Sequence, residues 1–277
     1  MNKKKIQLII LSAILSSIIL APKEYVLACD NVKDTQLVKW THQDTCVEDD
    51  KKYKIDIDNV EYIVEDNTTD IVKFSDPNFK KALNEKLGKP FDAEITVGDL
   101  NNMSGVLDLE DKGISNIDGI RHLENIEALI LNSNHLITIP NEIEALKNLR
   151  TLELDDNQLI MLPDNIGSLK NLRELYLSDN QLTVLPNSIG ELNNLEDFIV
   201  QANNLTYLPE SIGKLDKLEK LYLCANELKE IPETITNLQN LRVLSLKVNY
   251  IEKLPKAIKE MKSLKDLDIR GNLIEEN

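Results

Sequence analysis

The carboxyl-terminal part of the chain repeats one pattern of hydrophobic and polar positions. From residue 126 onward, leucine, asparagine, proline and isoleucine return every 23 residues without an insertion. One copy begins at Leu149 and reads LRTLELDDNQLIMLPDNIGSL. A fixed period of roughly 20 to 50 residues is typical of a solenoid, in which each repeat is one structural unit stacked on the next.

The first half of each repeat predicts a short strand followed by a turn. Leu152 and Leu154 alternate with polar residues, so we expect them to point inward and Glu153 to point outward. Asn157 follows the strand, where its side-chain amide can donate and accept hydrogen bonds with the backbone of a buried turn. We therefore expect a structural column of asparagines, comprising Asn134, Asn157, Asn180, Asn203, Asn226, Asn249 and Asn272.

The second half of each repeat supplies the remaining core. Leu159, Leu162, Ile166 and Leu169 are expected to fill the space behind the strand, and Pro163 to impose a rigid turn. One repeat alone cannot bury these side chains, but stacked neighbours can. The pattern therefore predicts an α/β solenoid.

The repeat resembles the leucine-rich repeat in its LPxxIGxLxNLxxLxLxxNxL form. This form is shared by many bacterial repeat proteins and by the plant Ras-group-related family. The resemblance covers more than half of the chain. It implies a curved solenoid with a parallel β-sheet on its concave face, usually a surface that binds another macromolecule.

Two short helices are predicted before the repeats. Ser75 or Asp76 is suited to cap a helix whose first residue is Pro77 and which Gly88 ends. The segment from Thr96 to Asp99 has the form of a capping box at the start of a second helix. Helices at this position are expected to cover the open end of a solenoid.

Residues 74–129 resemble the amino-terminal cap of the internalins. The shared features are the DPNF helix start, the LGK and TxxDL segments, the GISxIxGI turn and an LxN sequence that leads into the repeats. The resemblance implies a secreted or surface protein of a Gram-positive type bacterium, often one that binds a host or surface protein and so a virulence candidate. The chain departs from the internalins in its 23-residue repeats and in the segment that precedes the cap.

The domain boundaries follow from these patterns. We predict four parts along the chain: a signal peptide (1–28), an acidic amino-terminal arm or small β element (29–73), an internalin-like helical cap (74–103) and leucine-rich repeats (104–277). The repeats divide into a 22-residue capping repeat (104–125), six 23-residue repeats (126–263) and a half repeat (264–277).

The first residues are typical of an export signal. Three lysines precede an apolar run from Ile6 to Ala21, and we expect cleavage after Ala28. The run is shorter than the roughly 20 residues that a membrane-spanning helix needs. We expect a protein that is secreted or at the bacterial cell surface. In the alternative interpretation Cys29 carries a lipid, and the chain is an envelope-associated structural repeat protein without a specific ligand.

The charge of the chain restricts its partners. Its 32 basic and 47 acidic residues give a net charge of −15. Removal of residues 1–28 takes away four Lys and one Glu, which leaves 28 and 46 and a net charge of −18. This argues against nucleic acid and anionic membranes as partners. Two explanations of the negative charge remain: the protein binds a basic protein partner, or the charge simply keeps an exported monomer soluble.

The segment 29–73 contains a candidate disulfide and a candidate hairpin. Cys29 and Cys46 lie in a polar segment, where an oxidising compartment permits a bridge between them. Residues 53–57 and 60–64 alternate as paired strands do, with Asp58 and Asn59 left for the turn. The third cysteine, Cys224, occupies a variable position of the repeats, which predicts an inert side chain on the concave face.

Motifs of enzymes and metal sites are missing from the sequence. There is no HExxH, GxSxG, Walker loop or dinucleotide-binding glycine pattern, and only three histidines are present. The carboxylates of residues 56–61 lack the glycine and the spacing of an EF-hand. We therefore expect no catalytic residue, no cofactor and no metal site.

The outward positions of the strands are the candidate binding site. Residues one repeat apart lie on adjacent strands, about 4.8 Å from each other. Tyr176, Ile199 and Tyr222 are therefore expected to form an apolar stripe, and exposed tyrosine is favoured at interfaces. Ordinary β-favouring surface residues are the alternative. The candidate protein-binding residues are Ile130, Glu153, Asp155, Tyr176, Ile199, Tyr222 and Lys247.

Overall fold

The computed structural model describes residues 68–274 in full and, before them, the backbone of five short strands. The chain forms two compact units, one of residues 1–71 with 96–102 and the other of residues 72–95 with 103–277. The predicted cleavage site after Ala28 and the predicted disulfide between Cys29 and Cys46 lie outside the described residues.

The first unit contains two small antiparallel sheets. The strands are β1 (Glu24–Val26), β2 (Leu37–Lys39), β3 (Val47–Asp49), β4 (Lys52–Ile57) and β5 (Val60–Glu65). One sheet pairs β1 with β2, and the other has the order β3-β4-β5. The pairing of β4 with β5 matches the hairpin expected from the sequence, and its turn at Asp58 and Asn59 lies outside the described residues.

Of the two helices, α1 (Pro77–Leu87) belongs to the second unit, whereas α2 (Val97–Asn101) belongs to this first unit. The predicted capping box is confirmed. The Thr96 hydroxyl accepts a hydrogen bond from the backbone N–H of Asp99, and the Asp99 carboxylate accepts one from the backbone N–H of Thr96 at 2.7 Å. A side chain at Gly98 would meet the backbone oxygen of Thr68 at 2.8 Å, so this close approach requires glycine.

The second unit begins with α1 (Pro77–Leu87), whose predicted ends are confirmed. Asp76 caps the first turn, and Gly88 ends the helix with a φ of 67°. The Asp76 carboxylate also accepts hydrogen bonds from the backbone N–H and hydroxyl of Ser115. Burial acts to raise the pKa of Asp76, but these hydrogen bonds outweigh it and lower the pKa. One carboxylate thus joins the cap helix to the first coil of the repeats.

The repeats form one parallel sheet in which every strand pairs with the next strand along the chain. This order is that of a solenoid, so the predicted α/β fold class is confirmed. The eight strands are β6 (Gly105–Asp108), β7 (Ile126–Ile130), β8 (Thr151–Glu153), β9 (Glu174–Tyr176), β10 (Asp197–Ile199), β11 (Lys220–Tyr222), β12 (Val243–Ser245) and β13 (Asp266–Asp268).

A single turn of 3-10 helix follows each repeat proline on the opposite side of the coil from the strand. The Pro163 residue occupies the N-cap position of its turn, with a φ of −71° that suits a helix start. Helical turns are bulkier than strands, so the sheet takes the inner, concave side. The turns are Asn141–Ala145, Asp164–Ser168, Asn187–Glu191, Glu210–Lys214, Glu233–Asn237 and Lys256–Glu260, and the capping repeat has a shorter one at Ile120–His122.

Glycines let three pairs of these turns approach each other closely. A Cβ atom on Gly190 would lie 2.2 Å from the backbone oxygen of Ser211, and one on Gly213 would lie 2.3 Å from that of Thr234. No side chain fits at such distances. The glycine of the LPxxIG pattern is therefore required by packing between coils rather than by its own backbone angles, which are helical.

The core fills the space between the sheet and the 3-10 turns. Leu152 in β8 and Leu154 just after it have no exposed surface, and the same is true of Leu159, Ile166 and Leu169 in that coil. Burial of one such side chain stabilises the fold by about 1.5 to 3 kcal/mol. The alternation read from the sequence therefore matches the observed burial.

The asparagine column connects each coil to the one before it. The Asn180 amide donates to the backbone oxygens of Leu154, Leu177 and Ser178 at 2.9 to 3.2 Å. Its side-chain oxygen accepts from the backbone N–H of Leu159 at 2.9 Å. Asn134 to Asn249 are buried at this position in all six coils, and Asn272 is half-buried. Backbone groups that water does not reach are thereby satisfied.

We predict that Asn180→Ala destabilises the protein strongly. Its loss leaves several buried backbone groups without partners, which costs roughly 2 to 4 kcal/mol. Asn171→Ala is the matched control at the end of the preceding repeat, because Asn171 is exposed and donates to one backbone oxygen only, that of Lys147. Chemical denaturation should show a loss of less than about 1 kcal/mol for the control. Equal losses would contradict the role assigned to the column.

Candidate functional site

Three positions per coil face outward on the concave sheet, and we call them the strand rows. In the coil of β9 they are Glu174, Tyr176 and Ser178, and the buried residues Leu175 and Leu177 separate them. The strands pair in register, so each row runs straight across the sheet. The variable residues of successive coils therefore lie side by side.

The middle row contains the tyrosine stripe, which is made of Tyr176, Ile199 and Tyr222. Ile199 pairs with Tyr176 on one side and with Tyr222 on the other. All three side chains are half-buried on the sheet face. In the same row, Ile130 and Glu153 precede the stripe on β7 and β8. The structure thus brings five of the candidate residues into one continuous row.

Carboxylates from three strands surround Tyr176. Burial, and after it the negative charges of Glu174, Asp197, Glu153 and Asp155, together raise the pKa of its hydroxyl to about 12. The hydroxyl therefore stays protonated at physiological pH and remains a hydrogen-bond donor. Tyr176 therefore has a carboxylate beside it on its own strand and on each neighbouring strand.

Neutral donors position two of these carboxylates. Asn132 donates to Glu153 at 2.7 Å, and Thr151 donates to Glu174 at 3.0 Å. Asp197 instead accepts from the Lys220 ammonium at 2.7 Å and forms an ion pair with it. The hydrogen bond to Asp197 and its charge raise the pKa of Lys220.

Asp155 belongs to the third strand row, where side chains bond to the next coil. Its carboxylate accepts a hydrogen bond from the backbone N–H of Ser178, as Asn132 accepts one from the backbone N–H of Asp155. Burial raises the pKa of Asp155 and outweighs the hydrogen bonds from Ser178, which lower it. The nearby charges of Glu153 and Asp179 raise the pKa further. Asn132 makes the equivalent bond without a charge. The fold therefore does not need the charge of Asp155.

The carboxyl-terminal coils carry the basic residues of the strand rows. Arg270 holds Asp268 through two hydrogen bonds of 2.6 and 2.9 Å, which lower the pKa of Asp268 to about 2. Lys247 is exposed, and among the described residues it forms no ion pair. The candidate Lys247 thus lies on the sheet face, three coils from Tyr176.

Chemistry beyond binding finds little support in the described region. The Cys224 thiol is half-buried and donates to the Gln201 side chain at 3.1 Å. Burial and the adjacent Arg121 lower the pKa of His122. Residues 68–274 hold no group of three or more His, Cys, Asp or Glu side chains arranged for a metal ion. No helix within the described residues is both long and apolar enough to cross a membrane.

A second set of asparagines was missed by the sequence analysis. These edge asparagines each donate to a backbone oxygen of the preceding coil, at 2.6 to 3.0 Å. The asparagine of the LxNL segment was visible in the repeat pattern but received no role. Asn148, Asn171 and Asn194, together with neighbouring Arg and Glu side chains, line a shallow groove of about 530 Å³. The edge asparagines are Asn148, Asn171, Asn194 and Asn240.

Comparison with known proteins identifies the family. The model of the leucine-rich repeat region matches residues 102–200 and 199–275, more than half of the chain. The protein therefore belongs to the leucine-rich repeat family. Leucine-rich repeat domains commonly bind other proteins and are generally noncatalytic, and no enzyme family is indicated. A comparison with curated proteins finds no match.

Two solved structures show the same architecture. A leucine-rich repeat protein of Leptospira interrogans is 34% identical with a TM-score of 0.60, over 65% of this chain and 52% of that one. The chain thus spans about half the length of that protein. The ectodomain of the plant membrane receptor kinase GASSHO1/SCHENGEN3 from Arabidopsis thaliana, in complex with CASPARIAN STRIP INTEGRITY FACTOR 2, is 28% identical with a TM-score of 0.56. That match covers 65% of this chain and 23% of the ectodomain.

We predict that Asp155→Asn stabilises the folded protein at neutral pH. The folded-state pKa of Asp155 is raised, so its ionised form is disfavoured on folding, and an asparagine oxygen accepts the same hydrogen bond. We expect a gain of roughly 0.5 kcal/mol, since the repulsion is partly screened by solvent. The gain should be present above the raised pKa and vanish as the pH falls below about 4, where Asp155 is protonated in both states.

Thermal denaturation across this pH range measures the effect. Asp216→Asn is the control, because Asp216 is exposed outside the strand rows and its removal changes the net charge equally. If Asp155→Asn destabilises the protein, or if the gain in stability persists at low pH, then the conclusion that the fold does not need the charge of Asp155 is wrong.

Proposed function

We propose that the protein is a noncatalytic exported binding module that recognises a protein partner through its concave sheet. The observation that carries this proposal is the tyrosine stripe, a half-buried apolar row on a face where the fold does not require apolar residues. The stripe would form the centre of the interface, with Ile130, Glu153, Asp155 and Lys247 around it.

The middle strand row itself supports this interpretation. Glu153 and Ser245 occupy the same position in other coils, so the fold accepts polar residues there. The core is already complete with the buried leucines on the other side of the strands. Tyrosine is enriched among the residues that dominate binding energy, because it offers a large area at a small entropic cost.

The charge of the chain favours a basic partner. The net charge is −15, and four carboxylates surround Tyr176 at the centre of the proposed interface. Complementary charge accelerates association and suppresses wrong partners more than it adds affinity. A positively charged protein surface is therefore the partner chemistry that this face accommodates best.

The two resemblances support a binding role outside the cell. The plant receptor ectodomain was solved with a bound factor, which is consistent with a leucine-rich repeat solenoid holding a polypeptide ligand. The similarity of residues 74–129 to the internalin cap, together with the export signal read from the sequence, favours a partner at a host or cell surface. Both features lead to the same proposed class of function.

We predict that Tyr176→Ala and Tyr222→Ala abolish partner capture. Each substitution removes aromatic area from the centre of the interface, so affinity should fall at least about 30-fold, the size of a hot-spot effect. Capture from host and bacterial surface fractions, followed by titration of the purified partner, measures the change. Circular dichroism should remain unchanged, because both side chains lie outside the core.

The chain offers matched controls for this experiment. Tyr207 and Tyr250 are 50% and 54% exposed and lie outside the strand rows. Their replacement by alanine removes the same side chain from other surfaces and should leave capture intact. Capture that survives loss of both stripe tyrosines, or that depends equally on the control tyrosines, would reject the concave site.

Export is a separate part of the proposal with its own test. Cleavage after Ala28 predicts a mature protein that begins at Cys29 and carries no lipid there, as measured by the mass of the intact chain from the native bacterium. A mass increased by a diacylglycerol would instead support the envelope-anchored alternative. An uncleaved amino terminus in the native protein would overturn both.

A further inference from the structure

Charge changes sign along the concave strand rows. The coils of β6 to β10 present only acidic charges there: Asp108, Glu110, Glu153, Asp155, Glu174 and Asp197. The coils of β11 to β13 present Lys220, Lys247 and Arg270 together with Asp266 and Asp268. The concave face of these coils is therefore electrically polar along the solenoid axis.

Contacts within the face leave part of this charge uncompensated. Lys220 neutralises Asp197, and Arg270 neutralises Asp268. Glu153 and Glu174 accept hydrogen bonds from neutral side chains, and Asp155 accepts from Ser178, so no cation pairs with these three in the described residues. Among the basic residues of the strand rows in the described region, Lys247 is the one without an ion pair; its charge helps to lower the pKa of Asp268, but that carboxylate is hydrogen-bonded by Arg270.

The tyrosine stripe connects the two uncompensated regions. Tyr176 lies beside the three unpaired carboxylates, and an aromatic face attracts an Arg or Lys side chain in addition to their charge. Tyr222 lies on the adjoining side of the stripe, next to Ser245 of the coil that carries Lys247. A ligand lying along the stripe therefore meets negative charge at one end and one available ammonium at the other.

We propose that the partner presents an extended segment along the stripe, with a basic side chain at Tyr176 and a carboxylate at Lys247. The carboxylate is either an acidic side chain or a free chain terminus, since both offer the same group. This inference rests on the proposed function and specifies the chemistry and polarity of the bound segment.

The geometry fixes the spacing of the two groups. Three coils separate Tyr176 from Lys247, which is about 14 Å at the spacing of paired strands, and a two-residue offset along the strand adds about 7 Å at a right angle. The resulting separation of about 16 Å equals about five residues of extended chain at 3.3 Å per residue. The basic and acidic groups of the ligand should therefore lie about five residues apart.

Selection from a random peptide library against the full chain tests this proposal. We expect enriched peptides with an Arg or Lys and a carboxylate about five residues apart. Peptides selected with the Lys247→Glu variant should lose the preference for the carboxylate. The affinity of an enriched synthetic peptide for this variant, measured by titration, should be at least about tenfold lower than for the parent chain. Lys253→Glu is the control, because Lys253 is exposed in the same coil outside the strand rows.

Two synthetic peptides distinguish the sources of the carboxylate. One carries an acidic side chain five residues from the arginine and has an amidated carboxyl terminus. The other has glutamine at that position and ends there, so that its free terminal carboxylate has a similar spacing from the arginine. Preference for either, lost in Lys247→Glu, supports the proposal and identifies the source.

The remaining outcomes separate this inference from the proposed function. If enriched peptides depend on Tyr176 but are identical for the parent chain and Lys247→Glu, the polarity inference is wrong and the concave site stands. If no enriched peptide loses binding in Tyr176→Ala, the proposed concave site fails, and this inference fails with it.

Discussion

The structure depends on how a buried turn satisfies its backbone. From Ser133 to Gly271, each coil leaves its strand through a residue in the left-handed region, and the next position is an asparagine, which is buried in every coil except the last, where Asn272 is half-buried. Its side-chain amide bonds to carbonyl groups of its own coil and of the coil before it, as Asn180 does with Leu177 and Leu154. Because one side chain serves two coils, a coil cannot shift without leaving buried polar groups unpaired. This constraint maintains a common register across the sheet.

Register in turn gives the concave face its functional potential. When every coil repeats the same geometry, a residue at one position meets its equivalent in the next coil directly. Tyr176, Ile199 and Tyr222 therefore become one surface although 23 residues separate each from the next. Asp155 shows an electrostatic consequence of this packing: burial raises its pKa, and the nearby charges of Glu153 and Asp179 raise it further. Asn132 makes the equivalent bond without a charge, so this hydrogen bond by itself does not account for a carboxylate at Asp155.

Much of this architecture could be predicted because its causes are local in sequence. The strand alternation, the asparagine column, the capping box at Thr96 and the ends of α1 each follow from residues within a few positions of one another. The edge asparagines and the contact of Gly190 with Ser211 were missed, since both depend on the neighbouring coil. Asp76 was expected to cap α1, but its bonds to Ser115, 39 residues away, had no signal in the local pattern.

The sequence by itself determined the period, the fold class and the identity of the outward residues, because a 23-residue repeat leaves each position only one environment. The tertiary structure alone decided which charges on the concave face are compensated. Lys220 forms an ion pair with Asp197 and Arg270 forms one with Asp268, whereas Lys247 forms no ion pair with a described carboxylate and acts on Asp268 only through its charge. Such pairings depend on side-chain directions and distances of a few ångströms between coils, and a one-dimensional pattern does not contain them.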